Sequence, residues 1–459
     1  MIPTRPRLWA ERTRFGIVLA LISACFLWGG GSRLDIPGLV ILQPFAIICS
    51  AALLLVPGPM RWESVRVPLL LLAAITVMIA VQLIPLPPSI WRQLPGQAQF
   101  IPFSAVAGSE GVWRPLTMTP DMTLAALVGM SVPAAALVGF ASLSEDQTYK
   151  VLPYLLVAAA VSALLGLAQI LGGPHNGFYR YAVTNEGAAV GFFSNRNHQA
   201  VFLVSAWPML ALWVTGAARN PDRLRLRRWV AGAMAVFLVP MVVVTGSRAG
   251  LVLAILGLAF AWWTLRVGNI KPRGAVAPSK ALLWKVVPLL GGLGALAATI
   301  MASRDEAVQR LSSTVLSEEL RVANLPVLIR ICRDFLPFGS GFGSFDPVFR
   351  HYEPDDLLRN TYLNHAHNDV LELVITGGIP AALIAIIFCL WAGRRFIVGS
   401  RRRWASTRSR FALLASAMIT IYFLSSLVDY PLRTPVHAML FVFACGWLAS
   451  HYPAHEGKT

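Results

Sequence analysis

The stretch NHAHNDVLELVITGGIPAALIAIIFCLWAGRR, residues 364–395, opens on five polar side chains and closes on two arginines. The polar group is Asn364, His365, His367, Asn368 and Asp369. Between the two ends, an apolar run over 368–393 is long enough to cross a hydrocarbon core of roughly 30 Å. From His367 to Arg394 the chain advances 27 residues, about 40 Å of helix at 1.5 Å per residue. The histidine therefore belongs at or just above one membrane interface, and the arginines at the other.

Apolar runs of about 20 residues recur along the whole chain, and this repetition sets the fold class. The 459 residues are 56% hydrophobic and 13% charged, against about 25% charge in a soluble domain. The expectation is an all-α polytopic membrane protein with about 12 transmembrane helices, residues 1–459 forming a single integral membrane domain. The expected spans are 15–31, 38–57, 66–86, 120–141, 150–171, 198–216, 229–245, 247–266, 282–301, 368–393, 411–428 and 433–450. Arg5, Arg7, Arg12 and Arg14 precede the first span like a signal peptide, but no A-x-A cleavage site follows, so it reads as retained. Four of the five cysteines fall in apolar spans and Cys332 in a loop, which gives no disulfide framework.

The net charge of +17 raises the question of a polyanionic partner. The arginines instead cluster in short loops between spans, as in RWESVR 61–66, RNPDRLRLRR 219–228 and RRFIVGSRRR 394–403. That is the pattern of the positive-inside rule, not of nucleic-acid binding. The rule places these loops and both termini in the cytoplasm. Segments 87–119, 172–197, the turn 245–250 and the large loop 302–367 then face the opposite side, which for a bacterial inner-membrane protein is the periplasm. Within the large loop, Leu325, Leu328, Ile329 and Cys332 have helical spacing, which predicts an interfacial helix over 321–338.

Four polar signatures share that side. They are GFFSNRNHQA 191–200, TGSRAG 245–250 with Arg248, Arg321 followed by PFGSGFGSF 337–345, and the opening stretch. Taken singly, each has a local reading: Asn, Ser and Asp cap helices, and an interfacial Arg snorkels. Taken together on one face they point to a site. Arg248 departs from the positive-inside pattern, and an Arg beside hydrocarbon calls for an anionic or polar receiver. Its planar fork suits phosphate, and Arg196 and Arg321 can share the same volume. The glycines of 339–343 follow no strand, so they read as a Cβ-free turn returning the loop to the membrane, not as a nucleotide loop. His365, His367 and Asp369 could ligate metal, but an H-x-H alone is a weak signal. Histidine as proton acceptor fits better, since its unperturbed pKa is about 6.5. Asp369, one turn from His365, could orient that ring. Gly377, Gly378 and Pro380 predict a kink that opens a cavity beneath the histidine.

With these motifs, in this order and separation, the sequence resembles the O-antigen ligase and polysaccharide polymerase superfamily. The resemblance is clearest over residues 150–395. One departure concerns the residues after His367-Asn368: nine residues on stands Gly378-Ile379-Pro380-Ala381, where family ligases carry Gly, Thr or Val at the last position. The resemblance implies transfer of a glycan from undecaprenyl diphosphate to a glycan or lipid A core hydroxyl at the periplasmic face, with no metal and no cofactor. It implies His367 as base or positioner of the acceptor. It also implies Arg196, Arg248 and Arg321 as holders of the diphosphate, Arg321 with a catalytic part. Asn197, His198, His365 and Asn368 complete the candidate substrate-binding set. Membrane lipids, a flippase and a chain-length regulator are the partners such a role entails. A protein O-oligosaccharyltransferase is a further enzyme reading. A transporter is the reading from another class, but transporters favour midplane polar residues and repeats, and neither pattern is visible here.

Overall fold

The computed structural model describes residues 5–216, 221–267, 323–355, 358, 363–401 and 407–450. Among the described residues the regular structure is helical apart from one two-residue pairing, Pro85–Leu86 with Arg114–Pro115. Among the described residues, nine helices are long and apolar enough to cross a membrane. They are Pro37–Leu55, Trp62–Val81, Pro120–Ser142, Glu145–Leu171, Arg196–Thr215, Pro221–Val244, Arg248–Val267, Asp369–Ser400 and Ser409–Ser426. The first and last expected spans lie on the helices Arg5–Trp28 and Pro435–Ala449. The expected span 282–301 and Arg321 lie outside the described residues.

Two spans form the centre. Arg196–Thr215 is 89% buried and Ser409–Ser426 78%, against 17% for Trp62–Val81 and 22% for Arg248–Val267. In a bilayer, association rests on close packing because lipid is as apolar as leucine. Small residues serve that need. A Cβ on Gly250 would come within 2.5 Å of the Ala200 methyl, and one on Gly257 within 2.9 Å of the Val204 carbonyl. These two contacts draw the Arg248 helix against the central Arg196 helix.

The bundle has two distinct ends. At one, arginines cap carbonyls: the Arg14 guanidinium donates to Val56, Gly58 and Pro59, and Arg410 to Thr215 at 2.9 Å. At the other end the loops bond to one another. Val436 N donates to Gly29 O at 3.1 Å, Ser194 N to Gly30 O at 3.2 Å, and Asp369 N to Asp429 O at 3.3 Å. Segments 29–36 and 427–434 thus join the loops expected on that face.

The Asp369 helix breaks where expected, at Gly378, with φ 62° and ψ −155°. The loop glycines dock on the break. Ser340 N donates to Ile375 O at 2.9 Å, Gly341 N to Thr376 O at 3.0 Å, and Ile379 N to Pro337 O at 2.8 Å. Buried Gln82 closes the joint, donating to Thr376 O at 3.0 Å and accepting from Phe342 N at 2.9 Å. Every backbone group freed inside a membrane helix needs such a partner. A Cβ on Gly339 would lie 2.6 Å from Thr376 O, so the close approach requires glycine. A helix runs over 323–335, within the expected stretch 321–338. Leu328, Ile331 and Phe335 are its buried apolar residues, and Leu325 and Ile329 are exposed.

Candidate functional site

Asn368 Oδ1 accepts the Leu371 N–H at 2.9 Å and so caps the start of the Asp369 helix. The residue before it, His367, has φ 50°, a left-handed conformation that few non-glycine residues adopt. This turn brings both histidine rings against Tyr430, at centroid distances of 4.5 Å for His365 and 4.9 Å for His367. Tyr430 comes from the sequence VDYPLR, 428–433, in the short crossing between the Thr407–Ser426 and Pro435–Ala449 helices.

Each histidine has its own carboxylate. His365 Nδ1 lies 3.0 Å from Glu372 Oε1, and the other Glu372 oxygen accepts from Ala366 N at 2.9 Å. His367 Nδ1 lies 3.5 Å from Asp429 Oδ1. Asp429 also accepts from Asn197 Nδ2 at 2.6 Å and from Tyr430 N at 2.9 Å. The expected pairing of Asp369 with His365 is not formed. Asp369 accepts instead from Arg433 Nε at 3.0 Å and from Ser426 Oγ at 3.1 Å. Arg433 Nη2 reaches Glu372 at 3.4 Å as well. Asp369 and Glu372 stand three residues apart on one helix face, so a single guanidinium spans both. Asp369, the third member of the weak metal pattern, thus has both oxygens engaged.

Burial raises the Asp429 carboxyl, but the His367 interaction, the charges of His198 and His367, and the Asn197 hydrogen bond outweigh it and hold it below the usual carboxylate range. Arg433 follows the same logic with the opposite sign. Burial works against its charge, yet Glu372 and Asp369 keep its pKa above the ordinary guanidinium value.

His198 is fully buried and meets the Tyr430 ring edge-on at 5.2 Å. It lies behind the tyrosine instead of at a surface. Its neighbour Arg196 begins the central helix, and the Arg196 guanidinium lies beside the Gly246 turn, 3.6 Å from the position a Cβ there would take. Arg248, two residues on, begins the next helix with an exposed side chain. Two arginines at two helix N-termini thus share one end of the bundle, where backbone N–H groups favour anions. Asn197 ties this arginine pair to the histidines through Asp429.

A cavity of about 630 Å³ runs from this site into the bundle. Its polar end holds Asn364, His365, Asp369, Glu372 and Arg433, and its walls include Leu72, Ile75, Met130, Phe388 and Phe441. The break at Gly378 matches the expectation drawn from the Gly-Gly-x-Pro run, whereas the cavity is lined by His365 instead of His367 and by none of Gly377, Gly378 and Pro380.

Four residues of the site escaped the sequence reading: Glu372, Asp429, Tyr430 and Arg433. Glu372 carried a signal, an acid inside an apolar run. Asp429 and Arg433 carried a weaker one, opposite charges within a few residues joining two spans.

Fold and site together define an all-helical, multi-pass membrane protein with a histidine–carboxylate cluster at one end of the bundle. Residues 233–386 match the family model described as O-antigen ligase, and the match supports the O-antigen ligase superfamily. It covers Arg248, both site histidines and Glu372, and stops short of Asp429 and Arg433. No curated protein matches the chain.

Proposed function

We propose that this chain is a glycan-transferring enzyme of the bacterial inner membrane. Its donor is undecaprenyl diphosphate carrying a glycan, and its acceptor is a hydroxyl on lipid A core or on another glycan. The family match supports a ligase or polymerase activity of this kind. The observation that carries the mechanism is the His367–Asp429 pair beside the Arg196 and Arg248 helix ends. With Nδ1–H held toward Asp429, Nε2 is the accepting nitrogen of the ring.

In the reaction, the acceptor oxygen forms a bond to the anomeric carbon of the lipid-borne sugar. The bond from that carbon to the diphosphate oxygen breaks, and its electron pair leaves with undecaprenyl diphosphate. The acceptor proton passes to His367 Nε2. Arg196, Arg248 and Arg321 offset the charge that develops on the leaving diphosphate. The apolar walls of the cavity suit the hydrocarbon part of a lipid-borne substrate, with its head near His365. The arginine-capped end of the bundle supports a periplasmic site with both termini in the cytoplasm.

The test uses purified enzyme with undecaprenyl-diphosphate glycan and acceptor, read as a product ladder or a shifted acceptor. His367→Ala is expected to abolish transfer while the protein still accumulates in the membrane. His365→Ala is expected to do less harm, and activity is expected to persist in excess chelator. Full activity in His367→Ala would remove the base role. Loss on chelation, restored by a divalent ion, would instead assign the histidines to a metal.

A further inference from the structure

The segment 85–116 links the Trp62–Val81 span to the Pro120–Ser142 span. It folds as a small cap, closed by the Pro85–Leu86 and Arg114–Pro115 pairing. The cap packs on the 323–352 region. Gln99 Nε2 donates to Tyr352 Oη at 2.8 Å, and a Cβ on Gly96 would strike the Phe335 ring at 2.4 Å.

Its polarity is inverted relative to a loop in water. Gln97 and Ser104 are buried, as is Thr117 just beyond the segment, with Gln97 donating to Leu116 O at 3.1 Å. Thr117 and Thr123 share a hydrogen bond of 2.6 Å, and Thr123 donates to Phe342 O. Its large exposed side chains are apolar, Ile90, Phe103, Val106, Val112 and Trp113, with Val106 at 91% and Phe103 at 62%, beside exposed Ser89, Gln93 and Glu110. Only three of its residues are charged, Arg92, Glu110 and Arg114. The two guanidiniums flank the buried Trp91 ring, at 5.6 and 5.0 Å from its centroid.

We infer that this cap is a membrane-interface anchor: Phe103, Val106 and Trp113 insert into the head-group layer of the bilayer that the chain spans, and Arg92 and Arg114 meet lipid phosphates. Three observations select that occupant. Both ends of the segment lead directly into spans, which keeps the cap at interface height. Five large exposed apolar side chains on so short a segment would be unusual on a soluble face. Exposed Trp113, followed in sequence by Arg114, fits the enrichment of Trp and Arg at bilayer interfaces. The inference is independent of the glycan-transfer reading, since it concerns anchoring alone.

The test places a photo-crosslinking benzoylphenylalanine at Phe103, at Trp113, and, as a water-facing control, at Glu186. Full-length protein is irradiated in nanodiscs of phosphatidylethanolamine with a minority of phosphatidylglycerol. Adducts are read by mass spectrometry. Lipid adducts at 103 or 113 several-fold above those at 186 are expected. Adduct levels equal to the control, or crosslinks to a second copy in place of lipid, would overturn the anchor. Should one variant fail to accumulate, the other position carries the same readout.

Discussion

At the scale of single residues, the site is a pair of histidines oriented by two carboxylates drawn from different parts of the chain. In the proposed mechanism Asp429 acts through His367, which makes it a positioning residue. Asp429→Asn is expected to lower turnover about tenfold to a hundredfold with little change in acceptor KM, part of the 10²–10⁴-fold that a general base contributes. In a His367→Ala background the same change should add little, because the two groups act as one unit. A full additional loss in the double variant would show that Asp429 works through something else. The depressed Asp429 carboxyl has a pH consequence. A group held below its unfolded value, about 3.9 for Asp, stabilises above that value and loses its contribution only as pH falls below it. The thermal-stability gap between wild type and Asp429→Asn should therefore persist down to about pH 4 and close only below it. Arg248 tests a different property, the planar fork. Arg248→Lys should be nearly as damaging as Arg248→Ala, since Lys keeps the charge and loses the bidentate geometry. Near-normal polysaccharide output from the Lys variant would mean that charge alone suffices.

At the scale of elements, the decisive unit is the broken Asp369 helix with the glycine loop seated on the break. Gly378 combines φ 62° with a Cβ position 2.2 Å from Pro337 O. Gly378→Ala must therefore either strain the backbone or push the loop away. The expected cost is about 1–3 kcal/mol, visible as a lower melting temperature in detergent and as reduced transfer. Gly393→Ala is the matched control, with nothing within 4 Å of its Cβ position. Equal behaviour of the two variants would show that the break needs no glycine. The break was legible in the sequence as Gly-Gly-x-Pro. The partner that closes it was not, because Gln82 lies 294 positions from Thr376 and nothing local marks it.

At the scale of the whole molecule, the two ends of the bundle differ in chemistry, and the proposed orientation in the membrane rests on that difference. A cysteine introduced at Asp355 should react with an impermeant thiol reagent from outside the cell. One at Arg395 should react only after permeabilisation. The reverse pattern would invert the orientation and remove the mechanism with it. The bundle also explains why the site lies where it does. The central Arg196 helix delivers Asn197 and His198, and the Asp369 helix delivers Asp369 and Glu372. The crossing at 427–434 joins them.

The sequence alone determined the membrane-spanning helical architecture, because crossing hydrocarbon demands long apolar helices whatever their neighbours are. It also determined the polar mouth at 364–369, the kink at Gly378 and the glycine turn, since each is written in adjacent residues. Tertiary structure decided the pairing. The sequence spacing suggested Asp369 for His365, but i and i+4 face each other only within one continuous helix, and residues 364–368 precede the helix start. Their left-handed turn at His367 redirects both rings. Glu372 then takes His365, Arg433 claims Asp369, and Asp429, 62 positions beyond His367, completes the other pair. Contacts across such distances are set by how helices pack, and no local pattern of residue types encodes them.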